Sequence, residues 1–522
     1  MRLSYLPPLM VYVAAGVSEL TGIVGTFFVK EYLGLSAAFL AALGFWAGIP
    51  WALKMPLGHL VDLIWRHKAG LVWLGAALIA ASLLIMLGLI AEPLRMGELM
   101  SPEAWFVVSA LLSPIGYVIQ DVVADAMTVE AVPRVDEHGR PVPPETRRLM
   151  NTTLQTLGRV AIIGGGVLVS LVNVVVFAGV ETLPAAGKIA VYAKLYALAL
   201  IIPAISVAGV LLASLLRRRD ARRLRARGLD PTALQVLAVP TSEAIRPNWW
   251  ILGGSLLFVA LTLAVGLTQV DFAQEIIFFG SLAVIAFLMN RLLGELDENS
   301  RRTLLGTALV VFVFRAMPGP GAGSTWWMID ELGFDQSFLA RLSLISSVLT
   351  LFGLFAFRRF IGERSIAYIV GFLTLAGTLL SLPTLGMYYG LHQWTAAHTG
   401  GLVDARFIAL VDTALESPLG QIAMVPMLAW IANSAPPRLK ATYFAVMASF
   451  TNLALSASQL GTRYLNELFT VAREVRDPLT RAVSVPADYS QLGALFIVVT
   501  VIGLVLPFAA IWLTRVLGLR SA

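Results

Sequence analysis

Seven side chains able to carry a full charge fall well inside, away from the ends of, stretches otherwise apolar enough for a membrane: Glu19, Asp121, Asp125, Arg159, Arg315, Asp412 and Glu416. An ion near the bilayer centre costs roughly 2.5 to 3.5 kcal/mol, so each of these needs a partner, a water-filled cavity or a proton. Five are acids and two are bases. The excess carboxyls cannot all be ionised in a dry bundle, so at least one is expected to exchange a proton as its surroundings open to either side. The two arginines offer complementary chemistry, because a guanidinium holds a carboxylate by two parallel hydrogen bonds.

Spacing says which of these groups share a face. Asp121, Asp125 and Thr128 follow one another at intervals of four and three, and Asn151, Gln155 and Arg159 at intervals of four, the repeat of a helix stripe. At a rise of about 1.5 Å per residue, Arg159 and Asp121 lie roughly 15 and 16 Å along their helices from the same membrane face, so the two can meet at mid-depth. Glu19, Arg315 and Glu416 come out about 18 to 20 Å from the starts of their helices. The expected cargo-binding set is therefore Glu19, Asp121, Gln155, Arg159, Arg315 and Glu416, with Asp121, Asp125 and Glu416 exchanging protons. The alternative is that Asp121 with Arg159, and Glu416 with Arg315, are ion pairs that keep helices in register.

Fourteen apolar runs of spanning length must position these groups. They lie near 5–29, 36–57, 70–91, 104–132, 150–178, 190–215, 249–269, 274–294, 303–328, 338–357, 366–389, 404–432, 440–461 and 491–515. With a cytoplasmic N-terminus, 26 of the 38 Lys and Arg fall inside and 10 outside, leaving Arg159 and Arg315 within helices. That asymmetry predicts that both termini are cytoplasmic. The first run follows a single Arg2 and lacks a small-residue cleavage pattern, so it reads as a spanning helix rather than a signal peptide. The expected location is a multi-pass integral membrane protein of a bacterial inner (plasma) membrane.

The chain is also written twice. TFFVKEYLGLSAAFLA, from Thr26, returns as TWWMIDELGFDQSFLA, from Thr325, with Leu33-Gly34 matching Leu332-Gly333 at an offset of 299. Ser113-Pro114-Ile115-Gly116 returns as Ser417-Pro418-Leu419-Gly420 at an offset of 304. Two echoes in the same order mean two homologous halves, spans one to six and nine to fourteen, with spans seven and eight inserted as a pair. An even insert leaves the halves parallel, an arrangement found in secondary transporters whose binding site lies between repeats. The expected organisation is a six-helix bundle over residues 1–216, a basic cytoplasmic linker and inserted helix pair over 217–300, and a second six-helix bundle over 301–522. The run RRRDARRLRARG from Arg217 to Gly228 reads as a topology and headgroup anchor, not a nucleic-acid site.

Composition narrows the function classes. Of 522 residues, 58% are hydrophobic and 13% charged, about half the charge of a soluble protein, and the mean hydropathy is +0.80. The absence of cysteine excludes disulfides, thiolate nucleophiles and cysteine metal sites, and the five histidines form no ligand-spaced cluster. No Gly-Lys-Ser/Thr phosphate loop, His-Glu-x-x-His or nucleophile elbow is present, so ATP hydrolysis and common hydrolytic chemistry have no seat. The expectation is a non-enzyme without a cofactor, whose partners are lipid, protons and a small solute.

The second inter-span loop reads Pro50-Trp51-Ala52-Leu53-Lys54-Met55-Pro56-Leu57-Gly58, then Asp62 and the basic Arg66, His67 and Lys68. A Gly and an Asp four residues apart before a basic turn resemble the signature of the major facilitator superfamily. FFVKEYLGLS, PWALK, QDVVADAMTVE and ELGFDQSFLARLSL more narrowly resemble the folate-biopterin transporter family, in both halves and in order. Met55 interrupts the Lys-Pro of that family's pattern, Phe314-Arg315-Ala316-Met317-Pro318 replaces a Trp-Gln-Ala-Thr-Pro-like string, and the inserted pair is additional to twelve helices. The resemblance implies an all-α membrane protein with the major facilitator fold that takes up folates, pterins or related conjugates by proton symport. It also implies a gating or substrate role for Lys54, whose alternative is a plain anchor that snorkels to the interface; Gly58 and Asp62 are expected at a cytoplasmic gate. Gly58 would admit a neighbouring helix, and Asp62 would pair only while that side is shut. A pterin's amino-pyrimidine edge would suit one of the carboxylates, with arginine toward the anionic tail. The alternative is a facilitator carrier, importer or exporter, of another small solute.

Just after Arg315, Met317-Pro318-Gly319-Pro320-Gly321-Ala322-Gly323 places two prolines and three glycines in a spanning run. A kink or an unwound segment is predicted there, with Pro318 and Pro320 as hinge or gating residues lining a cavity. Gly164, Gly165 and Gly166 read instead as close helix packing.

Overall fold

The computed structural model describes residues 3–52, 54–64, 67–132, 142–226, 249–266, 270–294, 297–357, 360, 364–419, 440–476 and 483–521. Its helices in chain order are α1 Leu6–Gly16, α2 Gly22–Tyr32, α3 Ala37–Ala52, α4 Lys54–Leu63, α5 Lys68–Ala91, α6 Pro93–Leu99, α7 Pro102–Ala131, α8 Pro144–Val176, α9 Ala185–Ala199 and α10 Ile201–Ala226. There follow α11 Trp249–Gly266, α12 Ala273–Leu293, α13 Glu298–Arg315, α14 Ala322–Asp330, α15 Gln336–Ala356, α16 Ile366–Tyr388, α17 Leu391–His398, α18 Ala405–Glu416, α19 Lys440–Leu468 and α20 Leu492–Val516. A short antiparallel pair, β1 Val475–Arg476 and β2 Val483–Val485, sits between α19 and α20.

Among the described residues ten helical segments are long and apolar enough to cross a membrane. Four of the fourteen predicted spans do not qualify as single helices of that kind. The seventh is described only as a shorter apolar helix, Leu252–Gly266. The ninth is broken between α13 and α14; the twelfth passes from α18 into residues 420–439, which lie outside the described ones; and the thirteenth, α19, carries a row of polar side chains. The most apolar 18-residue window of helix α20 has a mean hydropathy of 2.8, yet only 28% of it is buried in protein. Apolar surface on that scale turned outward requires a lipid solvent.

Local chemistry sets the helix starts. Ser101, Asp297, Asp335, Ser365 and Asp404 each accept a hydrogen bond from the main-chain N–H three residues on, at 2.7 to 3.3 Å, satisfying one of the donors a helix N-terminus leaves open.

The chain forms two compact units, the first comprising Met1–Thr21, Pro56–Val172 and Ile189–Leu252, the second Gly22–Met55, Asn173–Lys188 and Gly253–Ala522. In the first, α5 and α7 approach through facing glycines: a Cβ on Gly75 would stand 2.6 Å from the Gly116 carbonyl oxygen. Their buried polar groups are satisfied, with Gln120 donating to the Val72 carbonyl at 3.3 Å and accepting from Ser206 at 2.8 Å. In the second unit an aromatic core of Trp326, Trp327, Phe334, Phe338, Tyr489 and Phe496 packs α14, α15 and α20 together.

Candidate functional site

In the first unit the predicted stripes on α7 and α8 converge on Tyr12 of α1, a residue the sequence reading missed. Its hydroxyl donates to Asp125 Oδ1 at 2.7 Å, and Asp121 and Arg159 both lie within its electrostatic reach. Tyr12 is buried, whereas Asp121, Asp125 and Arg159 are half-buried. The approach of α1 to α8 requires Gly158, where a Cβ would stand 2.9 Å from the Tyr12 ring. The backbone of Gln155 belongs to α8, but its side chain lies outside the described ones.

Between α1 and α2 the chain leaves the α-helix for a short 3-10 turn, Ser18–Thr21. Glu19 sits exposed in that turn. Ser18 shares a side-chain hydrogen bond with Tyr117 of α7, and Thr21 one with Tyr196 of α9. Gly16 marks the end of α1, and a Cβ on Gly165 would stand 2.7 Å from the Gly16 carbonyl carbon. Gly165 is thus a packing glycine, whereas a Cβ on Gly164 would meet nothing within 4 Å.

In the second unit the predicted break is present. Helix α13 ends at Arg315, residues 317–321 carry no regular structure, and α14 begins at Ala322. Applying the offset of 299, residues 317–320 correspond to 18–21, so both repeats interrupt their first span at the same place. Backbone groups freed at membrane depth need partners, and α19 supplies them. Ser458 Oγ donates to the Met317 carbonyl at 2.6 Å, Gly319 N–H donates to Thr462 Oγ1 at 2.9 Å, and Asn466 Nδ2 donates to the Pro320 carbonyl at 3.3 Å. Gly461 lies against the ring of Pro318, where a Cβ would stand 3.2 Å away. The spacing of four in α19, and the recurrence of Leu157-Gly158 as Leu460-Gly461, were the signals available in the sequence.

Arg315 is half-buried at the edge of this break, and its Nε donates to the Thr451 carbonyl of α19 at 3.2 Å. Among the described residues no ion pair joins Arg315 to Glu416, and that Nε bond is the only hydrogen bond the guanidinium makes. Glu416 is exposed at the end of α18, one turn from the half-buried Asp412 and within electrostatic reach of it. The Asp412 Oδ1 atom is buried without a hydrogen-bond partner among the described residues.

The expected gate residues divide. Lys54 opens α4, half-buried and engaged by its surroundings. No described atom comes within 4 Å of a Cβ placed on Gly58, so close helix approach does not demand a glycine there in this conformation. The Asp62 side chain lies outside the described ones. A cluster the sequence reading passed over joins the ends of α2 and α14: Lys30 pairs with Asp330, and Tyr489 donates to Asp330 Oδ2 at 2.5 Å. Beside it, Arg473 donates to the Leu35 carbonyl at 2.8 Å and stacks 5.1 Å from the Trp326 ring centroid. Burial pushes the Arg473 guanidinium below its ordinary value.

Helices broken at repeat-equivalent positions, with ionisable groups beside each break and apolar surface turned outward, define a membrane transporter. Two solved structures share the fold along their whole length. One is the nucleoside transporter NupG, 14% identical, covering 98% of this chain and 99% of that one with a TM-score of 0.56. The other is a POT family transporter in complex with 5-aminolevulinic acid, 13% identical, covering 98% of this chain and 96% of that one with a TM-score of 0.59. The architecture is that of an all-α integral membrane protein of the major facilitator type. Residues 15–517 match the BT1 family, and the chain belongs to it. Its relatives include a folate-biopterin transporter of Synechocystis sp., 23% identical over 449 residues, 85% of this chain and 71% of that protein. Folate transporter 2 of Plasmodium falciparum is 24% identical over 158 residues, 30% of this chain and 33% of that protein.

Proposed function

We propose that this transporter imports folate- or pterin-like organic anions by proton symport. The observation that carries the reading is Arg315: held by Nε at the edge of an unwound segment, it keeps its two Nη groups uncommitted among the described residues. That edge of a guanidinium suits a carboxylate. Names of relatives in the family supply the cargo class. The cluster of Tyr12, Asp121, Asp125 and Arg159 supplies a second ionisable site for proton exchange, and Glu416 with Asp412 one turn before it supplies another on α18. Glu19 and Gln155 complete the proposed cargo contacts, and Lys54, Gly58 and Asp62 the proposed gate. The working units are the two six-helix repeats, 1–216 and 301–522, with 217–300 as linker and accessory pair. Basic residues weighted to one side favour cytoplasmic termini in a bacterial inner membrane.

The test is uptake of folic acid and of pterin-6-carboxylate into proteoliposomes, with and without an inward proton gradient. Gradient-stimulated uptake that Arg315→Leu abolishes is the expected result. Uptake indifferent to the gradient sinks the coupling, and a protein whose thermal unfolding responds to another solute but to no pteridine sinks the cargo class.

A further inference from the structure

The two breaks sit at equivalent positions but are held by different physics. Beside the first, α8 presents main chain to main chain: a Cβ on Gly165 would stand 2.7 Å from the Gly16 carbonyl carbon and 3.1 Å from the Val17 nitrogen. Nothing bulkier than hydrogen fits there, so that contact cannot loosen without the helices separating. Beside the second, α19 presents side chains. Ser458, Thr462 and Asn466 follow at intervals of four, on one helix face, and bond in turn to Met317, Gly319 and Pro320. Seven residues before Ser458, Thr451 holds Arg315 through its carbonyl. One helix therefore fixes both the unwound backbone and the guanidinium next to it.

The ladder is also incomplete. Asn466 is 5% exposed, and its Oδ1 is buried with no hydrogen-bond partner among the described residues, although its Nδ2 reaches both the Pro320 and the Thr462 carbonyls. An unmet buried acceptor favours any rearrangement that brings it a donor. Hydrogen bonds between side chain and backbone can be exchanged one by one, whereas a glycine wedge cannot.

We propose that Ser458, Thr462 and Asn466 are positioning residues of the transport cycle. They hold the 317–321 segment, and with it Arg315, in the conformation described here, and releasing them moves that segment while the break at 18–21 stays wedged. The second repeat's break is the one expected to move, because α19 holds its main chain through hydrogen bonds that can be exchanged, whereas the first, besides the side-chain bonds of Ser18 and Thr21, adjoins the main-chain wedge at Gly16.

The chain has no cysteine, so a single Gly319→Cys reporter labels alone, and a Cβ there meets nothing within 4 Å. Maleimide labelling is timed in nanodiscs for this reporter alone and combined with Thr462→Val or Thr462→Ser. Loss of one hydrogen bond's net worth should speed labelling about fivefold with Thr462→Val, and Thr462→Ser should leave it within about twofold of the reporter alone. A Thr374→Cys reporter, 4% exposed on α16, should be indifferent to both changes. Unchanged labelling of Gly319→Cys, equal acceleration at both reporters, or equal acceleration by Ser and Val overturns the proposal. In proteoliposomes Thr462→Val should raise the KM for folic acid about fivefold and Thr462→Ser should not. The labelling arm needs no cargo, so it decides this proposal even where folic acid is not carried.

Discussion

Lys30 at the end of α2 and Asp330 at the end of α14 form an ion pair, and both side chains are largely withdrawn from water, at 8% and 20% exposure. The two helices are repeat equivalents: the offset of 299 places Glu31 opposite Asp330. Acid and base thus come from the same element of each repeat. Tyr489 donates to the second carboxylate oxygen, so both oxygens of Asp330 are engaged.

Breaking that pair from one side strands a buried charge, whereas reversing it keeps the attraction. Lys30→Ala is expected to destabilise the protein by about 3 kcal/mol, read as a lower unfolding midpoint in detergent. The double exchange Lys30→Asp with Asp330→Lys should recover at least half of the loss caused by either single reversal. If the double variant melts as low as the singles, the pair is not what holds these helix ends.

Neighbouring glycines in α8 should behave oppositely. A methyl on Gly165 meets Gly16 main chain at 2.7 Å, while one on Gly164 meets nothing within 4 Å. Gly165→Ala is expected to cost about 1 to 3 kcal/mol by overpacking, and Gly164→Ala to be neutral or to gain a few tenths from helix propensity. Comparable midpoints for the two variants would refute the backbone contact.

These particulars show which parts of the molecule the sequence made legible. The break after Arg315 was readable because prolines and glycines act locally, through missing donors and missing side chains. The paired stripes of Asp121, Asp125 and Arg159 were readable because costly charges in apolar runs stand out. Tyr12 was not, since an aromatic in an apolar run looks like core until a partner is seen opposite it. The α19 ladder was hidden for a similar reason: Ser458, Thr462 and Asn466 are individually commonplace, and their meaning depends on a segment some 140 residues away. Lys30 and Asp330 flank their spans, where charge is ordinary, so only the pairing of the two ends reveals them. Arg315 and Glu416 had the right depth to pair, yet Thr451 takes the guanidinium instead.

Tyr12 gives a sharper test of the first unit. Its hydroxyl is the donor to Asp125 at 2.7 Å, and a hydrogen bond to a charged acceptor is worth about 1.5 to 3 kcal/mol. Tyr12→Phe should lower stability by that amount without altering the packing of the ring against Gly158. In an Asp125→Asn background, where the acceptor is neutral, the same substitution should cost about half as much. An equal cost in both backgrounds would mean that the ring, not the hydroxyl, does the holding.

Acidity should reach the Lys30 cluster only at its far alkaline end. Burial, and then the bond to Asp330, push the Tyr489 hydroxyl well above the ordinary phenol value of 10.0. A group whose folded value is raised contributes stability that is fully present below its unfolded value and is lost as pH rises through the folded one. The penalty for Tyr489→Phe, about 1.5 to 3 kcal/mol for a bond to a charged acceptor, should therefore be the same at about pH 6 as at about pH 9 and shrink only at pH values beyond the ordinary phenol range. Chemical unfolding of the wild type and variant at several pH values measures it. A penalty that already halves between neutrality and pH 9 would mean that the phenol ionises in the working range, and that Asp330 is held by Lys30 alone.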